Sequence, residues 1–249
     1  MGTLAHLRHI DKSFASGAQA LAGLDLTIED GEFLSLLGPS GCGKSTALRL
    51  IAGLASPTAG SLEWVNGKPD IGFVFQDAVL MPWASAFDNV WLPLRLAGRS
   101  RTDATRDVEA ALESVGLAKF AKAVPRELSG GMRMRVSIAR ALVQRPKLLL
   151  MDEPFAALDE ITRLKLNDDL LRLTQELGTT TVFVTHSVFE SAYLSSRIAV
   201  FSHRPGRIIE TISIDAPMTR SEEFRLSAAY GVACQKASAA LHRAMGDPA

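Results

Sequence analysis

The 249-residue chain holds only two cysteines, Cys42 and Cys234, and has no surplus of either charge, since Lys plus Arg and Asp plus Glu both number 27. Two cysteines are too few for a disulfide framework. A balanced charge offers no broad basic field to draw in nucleic acid or an anionic membrane surface. Long hydrophobic runs are also missing. The longest apolar stretches, such as Leu148-Leu149-Leu150-Met151, fall far short of the ~20 residues needed to cross a bilayer. The opening Met1-Gly2-Thr3-Leu4-Ala5-His6 lacks the apolar core of a secretory signal, and His6 does not fit a myristoylation signal. No fixed-period repeat and no Pro-, Ser- or Gly-rich linker divides the sequence. A soluble chain in a reducing, cytoplasmic setting is expected.

What is present is a composition of 47% hydrophobic and 22% charged residues, enough for a substantial core. Short apolar segments ending in loops recur at Glu32 to Leu37, Lys147 to Met151, Thr180 to Thr185 and Ile198 to Phe201, with helical patterns between them. That alternation predicts an α/β fold with a mostly parallel sheet. Between Gln76 and Gln144 the pattern turns helical, with Thr102 to Val115 and Gly131 to Val143 as the clearest helices. In the second, Met132, Val136, Ala139 and Val143 share one face, with Arg133 and Arg140 off it. The expected organisation is a single domain over 1–249: a core of 1–76 and 145–212, a helical lobe of about 77–144, and a helical tail of 213–249. In the tail, Ala229, Ala233, Ala237, Ala240 and Met245 predict a final amphipathic helix docked on its own domain.

Gly38-Pro39-Ser40-Gly41-Cys42-Gly43-Lys44-Ser45-Thr46 satisfies the pattern G-x-x-x-x-G-K-S/T, with a strand before it and helical Ala47, Ile51 and Leu54 after it. Glycines there let successive backbone N–H groups turn inward at a helix N-terminus, which makes an anion site. Lys44 adds a charge for the β- and γ-phosphates. The Ser45 hydroxyl is a hard oxygen ligand for Mg²⁺, and Thr46 assists at the α-phosphate. Cys42 reads as a small loop filler.

Asp152 and Glu153 close an apolar strand, the place where open α/β sheets bind ligands. Asp152 is the candidate ligand of Mg²⁺ and Glu153 the candidate base that polarises an attacking water. The other use of such a pair, capping the next helix, is weakened by Pro154. His186 follows the β-branched strand Thr180 to Thr185 and emerges at the same sheet edge, where an imidazole can order the water and Glu153. A histidine met alone is more often structural.

Leu128-Ser129-Gly130-Gly131-Met132, lying between the phosphate loop and the acid pair, resembles the signature of the ATP-binding-cassette family. The other family marks stand in order: Gln76 at the start of the helical lobe, Ala157-Leu158-Asp159 after the acid pair, and His186 beyond it. The resemblance runs from about Leu4 to about Ile209. It implies a P-loop NTPase core with an N-terminal antiparallel β portion and an inserted helical lobe. It also implies ATP and Mg²⁺ as cofactors, Gln76 as a metal-side and catalytic residue, and Asp159 among the nucleotide-binding residues. Ser129 with the Gly130 and Gly131 amides would form a second anion site that closes on the ATP of a facing subunit, so a homodimer is implied. Phe14 stands where the family stacks an aromatic ring on adenine, or else belongs to the core.

Phe75-Gln76-Asp77 with Leu80-Met81-Pro82-Trp83, Met in place of Gln at 132, and His203-Arg204-Pro205-Gly206-Arg207-Ile208 look like the nitrate, sulfonate and taurine group of bacterial importers. Met134, Ala156 and Phe14 depart from that group's usual Gln, Gly and Tyr and blur the cargo. The aromatic stretch Leu80 to Trp83 with Phe87 and Trp91 is buried by default, but in the family a groove here receives a permease helix, so that Gln76 reports γ-phosphate occupancy to it. The implied function is the ATPase subunit of an importer at the cytoplasmic face of the bacterial plasma membrane. It would work with a separate integral membrane permease and, indirectly, with an extracytoplasmic solute-binding protein, and without nucleic acid. The alternatives are a non-transport ATPase of the same family acting on ribosomes or DNA, and an importer subunit for another cargo such as a pyrimidine or vitamin precursor. A small-molecule kinase would leave Leu128 to Met132 unexplained. Roughly 40 residues follow Ile209, too few for the additional β-domain of sugar-type importers, because domains rarely fold alone below about 40 to 50 residues.

Overall fold

The computed structural model describes residues 2–217 and 220–246. Its first elements are strands β1 (Thr3–Ser13), β2 (Gln19–Glu29) and β3 (Phe33–Leu37), helix α1 (Lys44–Ala52), and strands β4 (Ala59–Trp64) and β5 (Ile71–Val74). Three helices follow, α2 (Ala86–Leu96), α3 (Arg101–Ser114) and α4 (Gly130–Leu142), then β6 (Leu148–Asp152), α5 (Glu160–Leu177) and β7 (Thr180–Thr185). The chain closes with α6 (Val188–Leu194), β8 (Arg197–Phe201), β9 (Ile208–Ser213), α7 (Glu222–Arg225) and α8 (Ala228–Gly246). They fall into two compact units, Met1–Pro69 with Thr180–Ala249, and Asp70–Thr179.

In the first unit β1 pairs antiparallel with both β2 and β4. A second set runs β7, β3, β8 in parallel, with β9 antiparallel to β8. All five residues of β3 and all six of β7 are buried, which is why both read as continuous rather than alternating hydrophobic runs. The Arg197 guanidinium enters this set as a charge and is satisfied by both oxygens of buried Glu32, at 2.6 and 2.9 Å. Helix α8 lays Ala237, Ala240 and Ala244 on Leu37, Ile198, Val200 and Ile212, so the tail helix docks on its own unit as expected. The seam differs at its ends: Ala229 is exposed, and Ala244 takes the place expected for Met245, which is 61% exposed. Helix α1 is also shorter than its pattern, ending at Ala52 against a left-handed Gly53, and Leu54 lies beyond it.

In the second unit β5 pairs in parallel with β6, and α2, α3 and α4 pack on one another. Helices α2, α3 and α4 start on Ser85, Ser100 and Ser129, each hydroxyl accepting from the amide three residues on, the commonest way to satisfy an orphan donor of the first turn. Helix α2 was not foreseen, because Pro93 lies inside it and breaks the helical signature of the sequence. On α4 the buried set includes Val136 and Ala139, as expected, and adds Met134 and Ile138.

The segment before α2 is held from two sides. Buried Asn89 accepts from the Met81 amide at 2.7 Å and donates to the carbonyls of Ala84 and Ser85. Arg140 donates to the carbonyls of Val79 and Ala78 at 2.9 and 3.2 Å. Phe87 is buried, but Trp83 is 79% exposed and Val79 61%, which corrects the default reading of a buried aromatic stretch. Among the described residues no helix is long and apolar enough to cross a membrane.

Candidate functional site

β3 ends at Leu37 and the chain turns through Gly38 to Gly43 into α1. Gly43 has φ 110°, and a Cβ there would lie 2.6 Å from the Ala20 carbonyl oxygen, so only glycine passes this point. Lys44 is 3% exposed. Its ammonium donates to the carbonyls of Gly38 and Pro39, both at 2.8 Å. Burial raises the Cys42 thiol pKa, against the opposing charge of Lys44. The thiol of this buried cysteine is therefore held in its protonated form at neutral pH. Ser45 and Thr46 occupy the first turn of α1, half-buried.

The loop has a floor that sequence reasoning missed. Gly206 donates to the Ala20 carbonyl at 2.9 Å and accepts from the Ala22 amide at 3.2 Å. A Cβ on Gly206 would sit 2.2 Å from the Cys42 carbonyl oxygen. Gly206, within the stretch His203 to Ile208, thus packs against the phosphate loop at Cys42. The glycine after Pro205 was the available signal.

Parallel pairing places Leu37 opposite Thr185. The phosphate loop and His186 therefore leave neighbouring strands at one carboxyl edge, the ligand-binding edge of an open α/β sheet. His186 is exposed. Phe14 lies in the β1–β2 turn, 45% exposed, with the Lys12 ammonium 5.7 Å from its ring centroid. It is not a core residue.

In the second unit Val74 pairs with Met151, so Gln76 and the acid pair leave β5 and β6 at their common carboxyl edge. Gln76 is exposed, Asp152 is 7% exposed, and Glu153 is half-buried. Glu153 has φ 45°, a left-handed conformation costing of order 1 kcal/mol or more in a non-glycine residue and concentrated at functional sites. Asp159 caps α5, accepting from the Thr162 amide at 3.0 Å, and that bond holds its carboxyl pKa below the ordinary value. The signature segment meets the same helix start: a Cβ on Gly131 would lie 2.8 Å from the Thr162 methyl. Ser129 and Gly130 are exposed at the α4 N-terminus, and the Ser129 hydroxyl accepts from Met132 N at 3.2 Å.

The phosphate loop of the first unit fits the phosphates of ATP. The loop turns its lysine and a helix N-terminus to one place, as bound phosphate requires. Among the described residues no group of three or more His, Cys, Asp or Glu side chains forms a metal cage. Ser45 in the first unit and Asp152 in the second each carry a hard oxygen of the kind that Mg²⁺ takes beside phosphate and water oxygens.

The family model described as ABC transporter matches residues 21–156. The chain is 44% identical over 226 residues to an aliphatic sulfonates import ATP-binding protein, SsuB 1, of Pseudomonas syringae pv. syringae, covering 91% of this chain and 92% of that one. It is 43% identical over 224 residues to the aliphatic sulfonates import ATP-binding protein SsuB of Bacillus licheniformis, covering 86% of each. Among solved structures it resembles the dimeric post-hydrolysis state of the ATP-binding cassette MJ0796 bound to ADP and Pi, with a TM-score of 0.76 and 33% identity over 86% of this chain and 100% of that one.

Proposed function

The chain belongs to the ABC transporter family, and from that premise we propose that it is the ATP-hydrolysing subunit of a bacterial importer for sulfonate-type organic anions, working beneath a separate membrane permease. The observation that carries the chemistry is the pairing of Leu37 with Thr185, with the buried Lys44 ammonium directly beyond it. The cargo class rests on likeness to sulfonate importers over about nine-tenths of the chain.

Lys44 and the amides of Gly41 to Lys44 hold the β- and γ-phosphates. Ser45 and Asp152 would hold Mg²⁺, with Gln76 as a further metal-side residue; the ion when bound would neutralise developing charge on the phosphate oxygens. Glu153 accepts a proton from the attacking water, and His186 donates a hydrogen bond that orders water and γ-phosphate. Phe14, exposed at its turn, stacks on adenine. Ser129, Gly130 and Gly131 close on the nucleotide of a facing copy, so two chains sandwich two ATP molecules, with Asp159 at the same seam. Trp83 and Val79, exposed on a segment fixed by Arg140 and Asn89, are the docking face for the permease at the cytoplasmic side of the membrane. An extracytoplasmic binding protein delivers the solute.

The test is phosphate release by the chain reconstituted with its permease in proteoliposomes. Turnover should rise with a binding protein loaded with an alkanesulfonate and not with nitrate. Stimulation by nitrate alone would sink the cargo assignment while leaving the ATPase reading intact.

A further inference from the structure

His186 stands between Thr185, the last residue of β7, and Ser187, the cap of α6. Its flanks are tied into that helix. The Thr185 hydroxyl donates to the Glu190 carboxylate at 2.5 Å and accepts from the Ser187 amide at 3.0 Å, while the Glu190 amide donates to the Ser187 hydroxyl at 3.3 Å. A shift of α6 is thereby passed to the histidine. With 7 residues, α6 is far below the ~12 at which a helix holds itself in water, so its position depends on what packs on it.

Besides β3 and β7, on which α6 also packs, the tail holds it at both ends. At the C-terminal end Arg220 donates Nη2 to the Ser195 carbonyl at 2.7 Å, Nη1 to the Tyr193 carbonyl and Nε to the Pro217 carbonyl at 3.4 Å. The Tyr193 hydroxyl returns a bond to the Arg220 carbonyl at 3.2 Å. A cation here complements the negative end of the helix dipole, and burial lowers the Arg220 pKa only to about 10, so it stays charged at neutral pH. Near the other end the Tyr230 hydroxyl donates to the Phe189 carbonyl at 3.1 Å. Between them the Tyr230 ring meets Phe224 and Tyr193 edge-on, with centroids 5.6 and 6.4 Å away.

We propose that Arg220 and Tyr230 are positioning residues for His186: the C-terminal tail braces α6 at both ends, and α6 carries that position to the histidine through Ser187 and Glu190. The inference rests on the reading of His186 as the residue that orders the attacking water. Without the brace the phosphate loop and its lysine are untouched, so binding of ATP is spared and the chemical step is slowed.

Steady-state ATP turnover of the full chain carrying Arg220→Ala, Arg220→Lys or Tyr230→Phe, each with and without His186→Ala, tests this. Arg220→Ala should lower kcat about tenfold or more, as small misplacements of catalytic groups do, with KM for ATP unchanged. Arg220→Lys should recover part of the loss, and Tyr230→Phe should cost about threefold, the size of one neutral hydrogen bond. In the His186→Ala background none of these changes should lower kcat further, since residues acting through one group are not additive. Equal losses in both backgrounds, or an unchanged kcat for Arg220→Ala, would overturn the brace. If Arg220→Ala does not fold, Tyr230→Phe keeps the ring and carries the same comparison. If His186→Ala itself turns over like the parent chain, the reading of His186 fails, and the brace fails with it for that separate reason.

Discussion

The Lys44 ammonium donates to the carbonyl oxygen of Gly38 at 2.8 Å, closing the loop that both residues belong to. The same nitrogen reaches Pro39 at 2.8 Å, so a buried charge is held where phosphate oxygens, as stronger acceptors, can take over its donors. Lys44→Ala should weaken ATP binding by about tenfold to a hundredfold, the value of a charge-assisted hydrogen bond of ~1.5–3 kcal/mol. Titration with a fluorescent ATP analogue measures it. An unchanged dissociation constant would place the nucleotide elsewhere.

Glu153→Gln removes the proposed base and keeps the shape. It should bind ATP normally and turn over about 10²–10⁴-fold more slowly, the usual cost of losing a general base. His186→Ala should also slow turnover. Phosphate release by Glu153→Gln at the parent rate would transfer the role to another residue, with Asp159 and His186 the first to test.

Gly206 bears on the same loop from behind. Because a Cβ there would meet the Cys42 carbonyl at 2.2 Å, Gly206→Ala must push the loop or β8–β9 apart, at a cost of about 1–3 kcal/mol for overpacking. A lower melting temperature and weaker ATP affinity should appear together. A variant that melts lower but binds ATP as the parent does would show that the strain is relieved away from the loop.

Much of this was legible in the sequence because it rests on local patterns. Strand Thr180–Thr185 was read to the residue, since a β-branched run has one sensible conformation, and the phosphate loop is a contiguous pattern. What escaped reading depends on contacts distant in sequence. Helix α2 hides behind Pro93, which tolerates a helix here although it breaks the local signal. Gly206 matters only because the fold returns it to Cys42 and Ala20. Arg140, seen only as lying off the apolar face of α4, proves to hold the carbonyls of Ala78 and Val79. Met245 was placed on the seam of α8 by spacing, yet the helix presents Ala244 instead.

Asp159 gives a pH signature. Its carboxyl is held below the ordinary 3.8, chiefly by the Thr162 amide. A depressed folded-state pKa means that the stabilisation is complete above the ordinary value and fades as pH falls through the lower, folded one. Asp159→Ala should therefore melt below the parent at neutral pH, and the gap should narrow as pH drops below 3.8. Asp159→Asn keeps a capping oxygen without the charge and should melt between Asp159→Ala and the parent at neutral pH. A gap independent of pH would show that the charge contributes nothing to the cap.

In the proposed arrangement, where the phosphate loop of one chain and Ser129 of the other each hold part of the nucleotide, ATP should act as the glue of a dimer. The Ser129 hydroxyl accepts from Met132 N and still has its own proton to give to a γ-phosphate oxygen, at the exposed N-terminus of a 13-residue helix whose dipole favours that charge. Glu153→Gln is the right background, since it retains ATP long enough for the closed state to accumulate. Light scattering after size exclusion should report monomer without nucleotide or with ADP, and dimer with Mg-ATP, in the absence of permease. Ser129→Arg should abolish the shift, because its length displaces the facing phosphate, while ATP binding by the monomer is nearly unchanged. A Ser129→Arg chain that still dimerised with Mg-ATP would rule out the sandwich, and the second anion site would then have to lie outside the signature segment.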